Sequence, residues 1–576
     1  MDAILAGHFT FADLSILTAA SNGVSRLTVA NVAQDLAAGS FYLCARTEAS
    51  QCSAQEARMV SGSRWMAFAG VSLMLIAGIT GVAWSGRGSG GARRTNAGKE
   101  IGGAGKTTKG SAKEVTQRID LSAAINVSLP EPASDLKAVS FATEDGKTGW
   151  VLRLPGNHPI ATPAYDNGML FVGGGYGSHE FYAVDSDTGK IIWKVQTGDD
   201  GPTAAVVYDG AVAFNTESCT LVVVDEKTGR LLWQEWLGDP LMSQPAIDKD
   251  VLYMAHPAAT GRLEKQQVKY HPRPATPGGS HRLLAAELKT GRHIWEQQIA
   301  GDVITAPVIS DGAVYFTTFD GTSYSLNAAD GEVIWVKRNA ATSAPVVSGG
   351  NLYETRKQQA GKDTNEGLAR VDARKGEAKD KELLAAGNAD YLESRNGGGV
   401  ALSAAQVSAM DASVGFSAAP PSAQLKSAAQ NVGVSTVVGA WAYQGSRAAL
   451  SRGQVLNAQG GKINSVRAAD GKQTWQAEVV GGKPGPNSQL FSPPSMGRDY
   501  MYLAGAGGYL LSVRQSDGRV GFSYALKAPM TFQPALAKGN VYAGSADGRL
   551  ICLKTGSKDA DGWYEWGGNA QHNKVQ

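Results

Sequence analysis

The sequence has few cysteines, and their spacing speaks against two classes of site. The four cysteines of the 576-residue chain are Cys44, Cys52, Cys219 and Cys552. No two of them are adjacent and none form a Cys-x-x-Cys pair, so the pattern predicts neither a zinc site nor a disulfide framework. Cys219 and Cys552 stand in apolar, strand-like segments, where a thiol packs as a small hydrophobic group.

The chain also has almost no net charge. Its 54 basic residues nearly balance its 52 acidic residues, so no overall field attracts a nucleic acid. One stretch, GGAGKTT, resembles a phosphate-binding loop, but Glu100 occupies the position of the first glycine that such a loop requires. We therefore expect no nucleic-acid partner and no nucleotide site.

The Gly-His and Trp-Asp signatures of WD repeats do not recur either, so the sequence does not indicate a WD-repeat protein.

Long hydrophobic runs are missing apart from residues 65–84, WMAFAGVSLMLIAGITGVAW, which carry no charge. A run of about 20 apolar residues can span a bilayer as a helix, and tryptophan at both ends suits the two interfaces. We predict one transmembrane helix over residues 65–84, preceded by a short cytoplasmic tail at residues 1–64. A cleaved signal peptide that starts at Met59 is the alternative. Residues 85–135, rich in Gly, Ser, Thr and Lys, predict a flexible basic linker.

What the chain does contain is a repeat. The stretch AVDSDTGKIIW ends at Trp193, and related stretches end at Trp233, Trp295, Trp335 and Trp475. Each repeat is about forty residues long and holds four short strand-like segments separated by Gly, Asp and Asn turns, which predicts a four-stranded antiparallel sheet. Sheets of this kind bury their faces by stacking on one another, and closing the series into a ring removes the exposed edges.

The predicted fold is therefore all-β: an eight-bladed, alternatively seven-bladed, β-propeller over residues 136–576. The last repeat lacks a fourth strand, and Gly149–Gly156 is a spare strand, so we expect the two ends of the chain to complete one blade together. Insertions at residues 256–281 and 379–431 interrupt the repeats. The first joins the second and third strands of a blade and the other lies between blades, which places both on one face of the ring.

The recurring turn has a structural explanation. Asp185 can accept hydrogen bonds from the turn amides, Gly189 can adopt the positive φ of a tight reversal, and Trp193 can pack between neighbouring blades. Trp150 directly follows its glycine, and we expect it to contribute less than the tryptophans in the repeat register. The residues of this docking motif are Asp185, Gly189, Trp193, Asp225, Gly229, Trp233, Gly291, Trp295, Gly331, Trp335, Gly471 and Trp475.

The pattern Ala-x-Asp-x-x-Thr-Gly-x-x-x-Trp resembles the tryptophan-docking motif of the pyrroloquinoline-quinone (PQQ) type β-propeller family. The copy ending at Trp193 matches at every named position, whereas Asp380 and Phe522 replace the tryptophan in two later copies. The resemblance covers about residues 136–566. It implies the propeller fold and a choice between two kinds of function.

One kind is the quinoprotein dehydrogenases of this family, which hold PQQ and Ca²⁺ on the ring axis and in many cases carry adjacent cysteines over the cofactor. No two cysteines are adjacent here, and Asn215 with Glu217 is the one polar pair on the corresponding face that we can suggest for Ca²⁺. The other kind is the non-catalytic BamB-type outer-membrane assembly factors. We expect a non-catalytic, protein-binding scaffold with no catalytic, cofactor-binding or metal-binding residues. A PQQ-dependent dehydrogenase and a sensor ectodomain are the alternatives.

The resemblance also implies a location. It predicts that the propeller lies in the periplasm and binds a protein partner of the cell envelope. The apolar run at residues 65–84 predicts a single-pass inner-membrane protein, and the pairing of every blade edge within the chain predicts a monomer. The basic residues between Arg87 and Arg118 favour the opposite orientation by the positive-inside rule. Both orientations stay open at the level of sequence.

Overall fold

The computed structural model describes part of the chain, which divides into two compact units at residues 1–108 and 109–576. In the first unit, the described residues form an antiparallel hairpin of β1 (Val32–Asp35) and β2 (Ser40–Leu43). The predicted membrane helix at residues 65–84 lies outside the described residues. Among the residues that are described, no helix is both long and apolar enough to cross a bilayer. The described residues are 32–35, 40–43, 115–132, 134–217, 219–237, 243–257, 269–271, 281–389, 431, 444–482 and 490–576.

The second unit begins with strands that later join distant blades. They are β3 (Val115–Asp120), β4 (Ile125–Asn126), β5 (Val139–Ala142) and β6 (Thr148–Arg153). Two short 3₁₀ turns lie among them, at Leu121–Ala123 and Pro155–Asn157.

The first four blades follow in sequence order. Blade 1 consists of β7 (Ala164–Asp166), β8 (Met169–Gly173), β9 (Glu180–Asp185) and β10 (Ile191–Gln196). Blade 2 consists of β11 (Val206–Tyr208), β12 (Ala211–Asn215), β13 (Thr220–Asp225) and β14 (Leu231–Trp236). Blade 3 consists of β15 (Ala246–Asp248), β16 (Val251–Pro257), β17 (Lys269–His271), β18 (His281–Glu287) and β19 (His293–Ile299). Blade 4 consists of β20 (Val308–Ser310), β21 (Ala313–Thr317), β22 (Thr322–Asn327) and β23 (Val333–Arg338).

The remaining blades continue the same pattern. Blade 5 consists of β24 (Val346–Ser348), β25 (Asn351–Ala360), β26 (Asp363–Asp372) and β27 (Leu384–Asn388). Blade 6 consists of β28 (Ala449–Ser451), β29 (Gln454–Gln459), β30 (Lys462–Arg467) and β31 (Gln473–Val480). Blade 7 consists of β32 (Ser495–Met496), β33 (Tyr500–Ala504), β34 (Tyr509–Arg514) and β35 (Val520–Ala525). Blade 8 begins with β36 (Ala535–Ala537), β37 (Asn540–Gly544) and β38 (Arg549–Lys554).

The two ends of the chain complete blade 8, as the sequence predicts. Strand β6 pairs antiparallel with β38, placing Trp150 opposite Cys552, and β5 pairs with β6 on the outside. The described residues of this unit thus form eight sheets. The first strand of every blade contacts the first strands of both neighbouring blades, which closes the ring. This confirms the all-β, eight-bladed propeller.

Two predicted boundaries need correction. Residues 115–126, which the sequence analysis places in a flexible linker, contain β3 and β4; these pair in parallel with β31 of blade 6 and β35 of blade 7. A polar strand can pair here because the sheet edge supplies backbone hydrogen bonds. Strand β27 lies inside the predicted insertion at residues 379–431 and pairs with β26. The insertion at residues 256–281 does join the second and third strands of its blade.

Burial follows the position of each strand in its blade. Strands β12 and β37 are buried along their whole length, because neighbouring blades cover both of their faces, and their sequences are therefore almost continuously apolar. The outer strand β10 alternates between half-buried and exposed residues, as expected for a strand with one covered face. The core thus lies in the seams between blades.

Candidate functional site

The docking motif holds neighbouring blades together. Asp185 accepts hydrogen bonds from the backbone N–H and the hydroxyl of Thr188, at 2.8 and 2.6 Å, which shapes the turn. The indole Nε1 of Trp193 donates to the carbonyl of Glu226 in the next blade at 3.0 Å. A Cβ on Gly229 would lie 2.8 Å from the Trp193 ring, so only glycine allows the ring to lie flat on that turn.

The same contact recurs around the ring. In each case an indole N–H donates to the carbonyl three residues before the turn glycine of the next blade. The pairs are Trp233 with Leu288 at 2.7 Å, Trp295 with Ala328 at 2.9 Å, Trp335 with Ala373 at 2.9 Å, and Trp475 with Gln515 at 2.8 Å. Each repeat that has the tryptophan therefore contributes its glycine and its tryptophan to two different seams.

Trp150 belongs to this set, contrary to the expectation from its spacing. Its indole N–H donates to the carbonyl of Ser186 at 3.2 Å, and its ring lies on Gly189. The motif of blade 8 is divided between the two ends of the chain, because β38 and β6 are paired but distant in sequence. In the sequence, Trp150 therefore lacks the turn of the motif before it, because that turn follows β38 at the other end of the chain.

The seam between blades 5 and 6 uses a different solution. Asp380, which takes the tryptophan position in the motif, binds the guanidinium of Arg370 at 2.8 and 3.0 Å. Arg370 in turn donates to the carbonyl of Ala468 at 3.0 Å, which is the carbonyl that an indole N–H would reach. The side chain of Leu384 lies against Gly471. An arginine and a leucine together thus replace one docking tryptophan.

The ring axis is filled by residues 563–576, called here the C-terminal segment. This segment hydrogen-bonds to the first strand of every blade. The sequence indicates that Trp563 and Trp566 could cap the ring, but not these individual contacts, because the segment has no repeat periodicity. The first-strand residues in contact are Tyr165, Val207, Ile247, Ile309, Val347, Leu450, Met496 and Leu536. The only signal for it in the sequence is the density of Trp and Gly in GWYEWGGNAQHNK.

Trp566 lies at the centre of this filling. Its side chain is 1% exposed and packs with Ala306 and Ala344 from two blades. The guanidinium of Arg447 lies 4.6 Å from the centre of the Trp566 ring and also donates to the carbonyl of Pro345 at 3.2 Å. Such a desolvated cation over an aromatic face is strongly favourable. The axis is thus closed by a packed aromatic group and a buried cation.

His572 connects the same segment to blade 3. Its two ring nitrogens lie 2.7 Å from the carbonyl of Trp566 and 2.8 Å from that of Pro245. Burial lowers the pKa of His572 to about 4. At neutral pH the imidazole is therefore uncharged and donates to one of these two carbonyls.

On the face that carries the insertions, Gln444 crosses the ring. Its side-chain amide donates to the Thr162 hydroxyl at 2.8 Å and accepts from the Gln533 backbone N–H at 2.8 Å, so it bridges blades 1 and 8 just before blade 6 begins. Asn431 donates to the carbonyls of Phe319 and Ala341 at 3.2 and 2.6 Å. These contacts attach the end of the second insertion and the chain that follows it to the ring.

The axis residues do not fit PQQ with Ca²⁺. Trp566 and Arg447 occupy the centre of the ring. The suggested ligand Asn215 accepts a hydrogen bond from Thr203 at 2.7 Å, and Glu217 accepts one from Tyr176 at 3.2 Å. Among the described residues, no three His, Cys, Asp or Glu side chains converge in a way that could hold a metal ion.

Glu565 is expected to make the stability of the folded chain depend on pH. Its carboxylate accepts a hydrogen bond from the Val207 N–H at 3.1 Å, and burial raises its pKa to about 8. The folded chain therefore holds a proton that the unfolded chain releases near its ordinary pKa of 4.5. We expect stability to fall as the pH rises from 4.5 to 8, by at most about 1.4 kcal/mol per pH unit.

The check is guanidinium unfolding at several pH values between 6.5 and 8, comparing the wild type with Glu565→Gln. Glutamine keeps the acceptor for Val207 but cannot ionise, so the variant should have the flatter pH dependence. Parallel curves for the two proteins would contradict the protonated state of Glu565.

The sequence of this chain is similar to those of known proteins. The sequence profile of the family described as outer membrane protein assembly factor BamB matches residues 134–269, 271–420 and 423–560. BamB of Yersinia pestis is 22% identical over 183 residues, which is 30% of this chain and 42% of that protein. Tetrathionate hydrolase of Acidithiobacillus ferrooxidans is 26% identical over 228 residues, which is 37% of this chain and 44% of that protein.

The chain thus spans about half the length of these curated relatives. A solved structure of BamB from Moraxella catarrhalis aligns with a TM-score of 0.45 and 14% identity, covering 72% of this chain and 98% of the other. The profile match extends over most of the propeller. It begins before β5 and β6, the N-terminal strands of blade 8, and ends after β38, the C-terminal strand of the same blade. The chain therefore belongs to the BamB family of PQQ-like β-propellers.

Proposed function

We propose that this propeller is a non-catalytic scaffold that binds a protein of the cell envelope, in the assembly of envelope or outer-membrane proteins. The observation that carries the proposal is the family profile across residues 134–560, in a ring whose axis is filled by the chain itself. A filled axis leaves the outer surfaces of a propeller for binding, and rigid folds of this kind present loops and edges to partners.

We further propose that residues 65–84 tether the propeller to the inner membrane with the ring in the periplasm. Support comes from the apolar, tryptophan-bounded run in the sequence and from the envelope role named for the relatives. Alkaline phosphatase fused after residue 576 should be active in cells. An inactive fusion, with a fluorescent cytoplasmic reporter at the same position, would reverse this orientation.

The partner is expected to be a protein that crosslinks to the full chain in cells. Crosslinking followed by affinity purification should recover one or a few discrete proteins, identified by mass spectrometry. A chain in which residues 390–430 are replaced by a short Gly-Ser linker tests the face that carries the insertions. Replacing residues 272–280 in the same way, which leaves β17 in place, is the matched control on that face. Recovery of no discrete protein by any of the three chains would overturn the scaffold function.

The dehydrogenase alternative has a direct test. The purified chain is mixed with PQQ and Ca²⁺, passed over a desalting column, and assayed for retained PQQ and for alcohol- or sugar-dependent dye reduction. We expect neither retention nor turnover, because the axis is filled by Trp566 and Arg447. Stoichiometric retention with turnover would replace the scaffold function by redox catalysis.

A further inference from the structure

The outer edges of the blades fall into two groups. In the described part of the chain, blades 3, 6, 7 and 8 have a fifth strand added outside the usual four, whereas blades 1, 2, 4 and 5 end at their fourth strand. The added strands come from segments of this chain that are distant in sequence or inserted. A fourth strand without a neighbour presents a row of unpaired backbone groups to solvent.

The added strands in blades 3 and 6 follow a common rule. Each runs parallel to the fourth strand, and each starts beside the docking tryptophan: Val115 opposite Trp475, and Lys269 opposite Trp295. The docking tryptophans of these two blades are 1% and 0% exposed. The outer edge of a blade in this propeller is therefore a surface on which an extended segment can add in a defined register.

The edge of blade 2 combines exposed large apolar residues with the absence of a basic residue. Its strand β14 reads LLWQEW, and Leu231 and Trp236 are 43% and 44% exposed. Trp233 is only half-buried, unlike the docking tryptophans that a fifth strand covers. Large apolar residues on an unpaired edge are uncommon in soluble proteins unless the edge is used.

The open edges of blades 1 and 4 also expose apolar residues, Ile192 at 46% and Ile334 at 49%, but these edges carry features that discourage pairing. Strand β10 of blade 1 presents Lys194, and β23 of blade 4 presents Lys337 and Arg338, all exposed. Lysine on an edge strand is a common protection against the addition of another chain. Strand β27 of blade 5 reads LAAGN and offers mostly small side chains. Blade 2 thus differs from the other three open blades, because β14 has neither a basic residue on its edge nor a run of small side chains.

We propose that the outer edge of β14 binds an extended segment of the partner protein, which adds to blade 2 as a parallel fifth strand starting beside Trp233. This inference rests on the scaffold function proposed above and specifies how the partner is held. Backbone hydrogen bonds supply affinity, and the alternating side chains supply specificity. The segment is apolar and β-branched in character, to match the exposed Leu231 and Trp236. Glu235, the one ionisable group of β14, is already bound by His293 of blade 3 at 2.8 Å.

Contact with the partner is tested by a photo-crosslinking amino acid placed three residues after a docking tryptophan, at position 236 in blade 2 or at position 338 in blade 4. Both positions are exposed and hold the same register on an open edge. In cells that produce the full chain, we expect a discrete crosslinked protein from position 236 and none from position 338.

A second comparison tests whether the apolar edge of β14 is responsible for the crosslink from position 236. Leu231→Lys should reduce the yield of the position-236 crosslink at least tenfold, whereas Val333→Lys, at the equivalent position of blade 4 with 38% exposure, should leave it unchanged. Circular dichroism and thermal unfolding of both variants verify the fold.

The outcomes separate the two proposals. A discrete partner that crosslinks to position 338 or to the insertion-bearing face but not to position 236 would overturn the edge proposal and leave the scaffold function standing. A crosslink from position 236 to a second copy of this chain would overturn the edge proposal in favour of self-association. The absence of a partner from every position would overturn both.

Discussion

Replacing Trp566 by alanine is expected to lower the free energy of unfolding by about 3 to 5 kcal/mol, the range for removing a large buried aromatic side chain. The indole is 1% exposed and packs with Ala306 and Ala344, so its removal leaves a cavity in the centre of the ring. The guanidinium of Arg447 would also lose the aromatic face 4.6 Å away. A buried cation without this contact is costly.

Equilibrium unfolding in guanidinium, followed by circular dichroism, measures this loss. Trp566→Phe is the matched control: phenylalanine keeps an aromatic face for Arg447 and should cost about 1 to 2 kcal/mol. Tyr564→Ala provides a second control in the same segment, since Tyr564 is 39% exposed. If Trp566→Ala cost no more than Tyr564→Ala, the C-terminal segment would not support the ring.

Replacing Trp150 by alanine should cost about 3 to 5 kcal/mol as well. The side chain is 2% exposed, donates to the carbonyl of Ser186 and covers Gly189. It also lies in β6, which closes blade 8 with strands from the other end of the chain. The substitution therefore weakens both a seam between blades and the closure of the ring.

Trp295→Ala is the positive control for this experiment, because Trp295 makes the same contact within one continuous copy of the motif and is 0% exposed. Trp236→Ala is the negative control, since that side chain is 44% exposed. We expect Trp150→Ala to match the first and to exceed the second by at least 2 kcal/mol. A cost equal to that of Trp236→Ala would mean that blade 8 closes without this docking contact.

The number of blades and their closure could be predicted because they depend on local patterns. Turn glycines and alternating apolar strands, repeated about every forty residues, together indicate one blade per repeat. The missing fourth strand of the last repeat indicates that blade 8 is shared between the two ends of the chain. The role of Trp150 could not be predicted in this way. Its turn partner, Gly189, belongs to the next blade, and spacing within a single repeat carries no information about contacts between blades.

The contacts of the segments that fill or cover the ring were also beyond sequence patterns, although the Trp- and Gly-rich C-terminal end indicated that Trp563 and Trp566 could cap the ring. Strand β3 reads VTQRID, a polar sequence in a linker of low complexity, and its pairing depends on an open edge formed by residues more than three hundred positions away. The C-terminal segment makes single hydrogen bonds to successive blades, so it has no strand periodicity. At Asp380 the motif fails because an arginine from the adjacent strand, Arg370, reaches the carbonyl instead.

The shared blade has a consequence for how the protein reaches its native state. Strand β6 can pair early with β5, but its inner edge at residues 148–153 remains unpaired until the chain has been made as far as residues 549–554. Closing so large a loop costs conformational entropy, and contacts between distant residues slow folding. Blades 1 to 7 can form in order during synthesis, whereas the joining of blade 8 and the insertion of the C-terminal segment must come last. The rate-limiting step of folding is therefore expected to be this final closure, and substitutions at Trp150 or Trp566 should accelerate unfolding more than they slow the formation of the earlier blades.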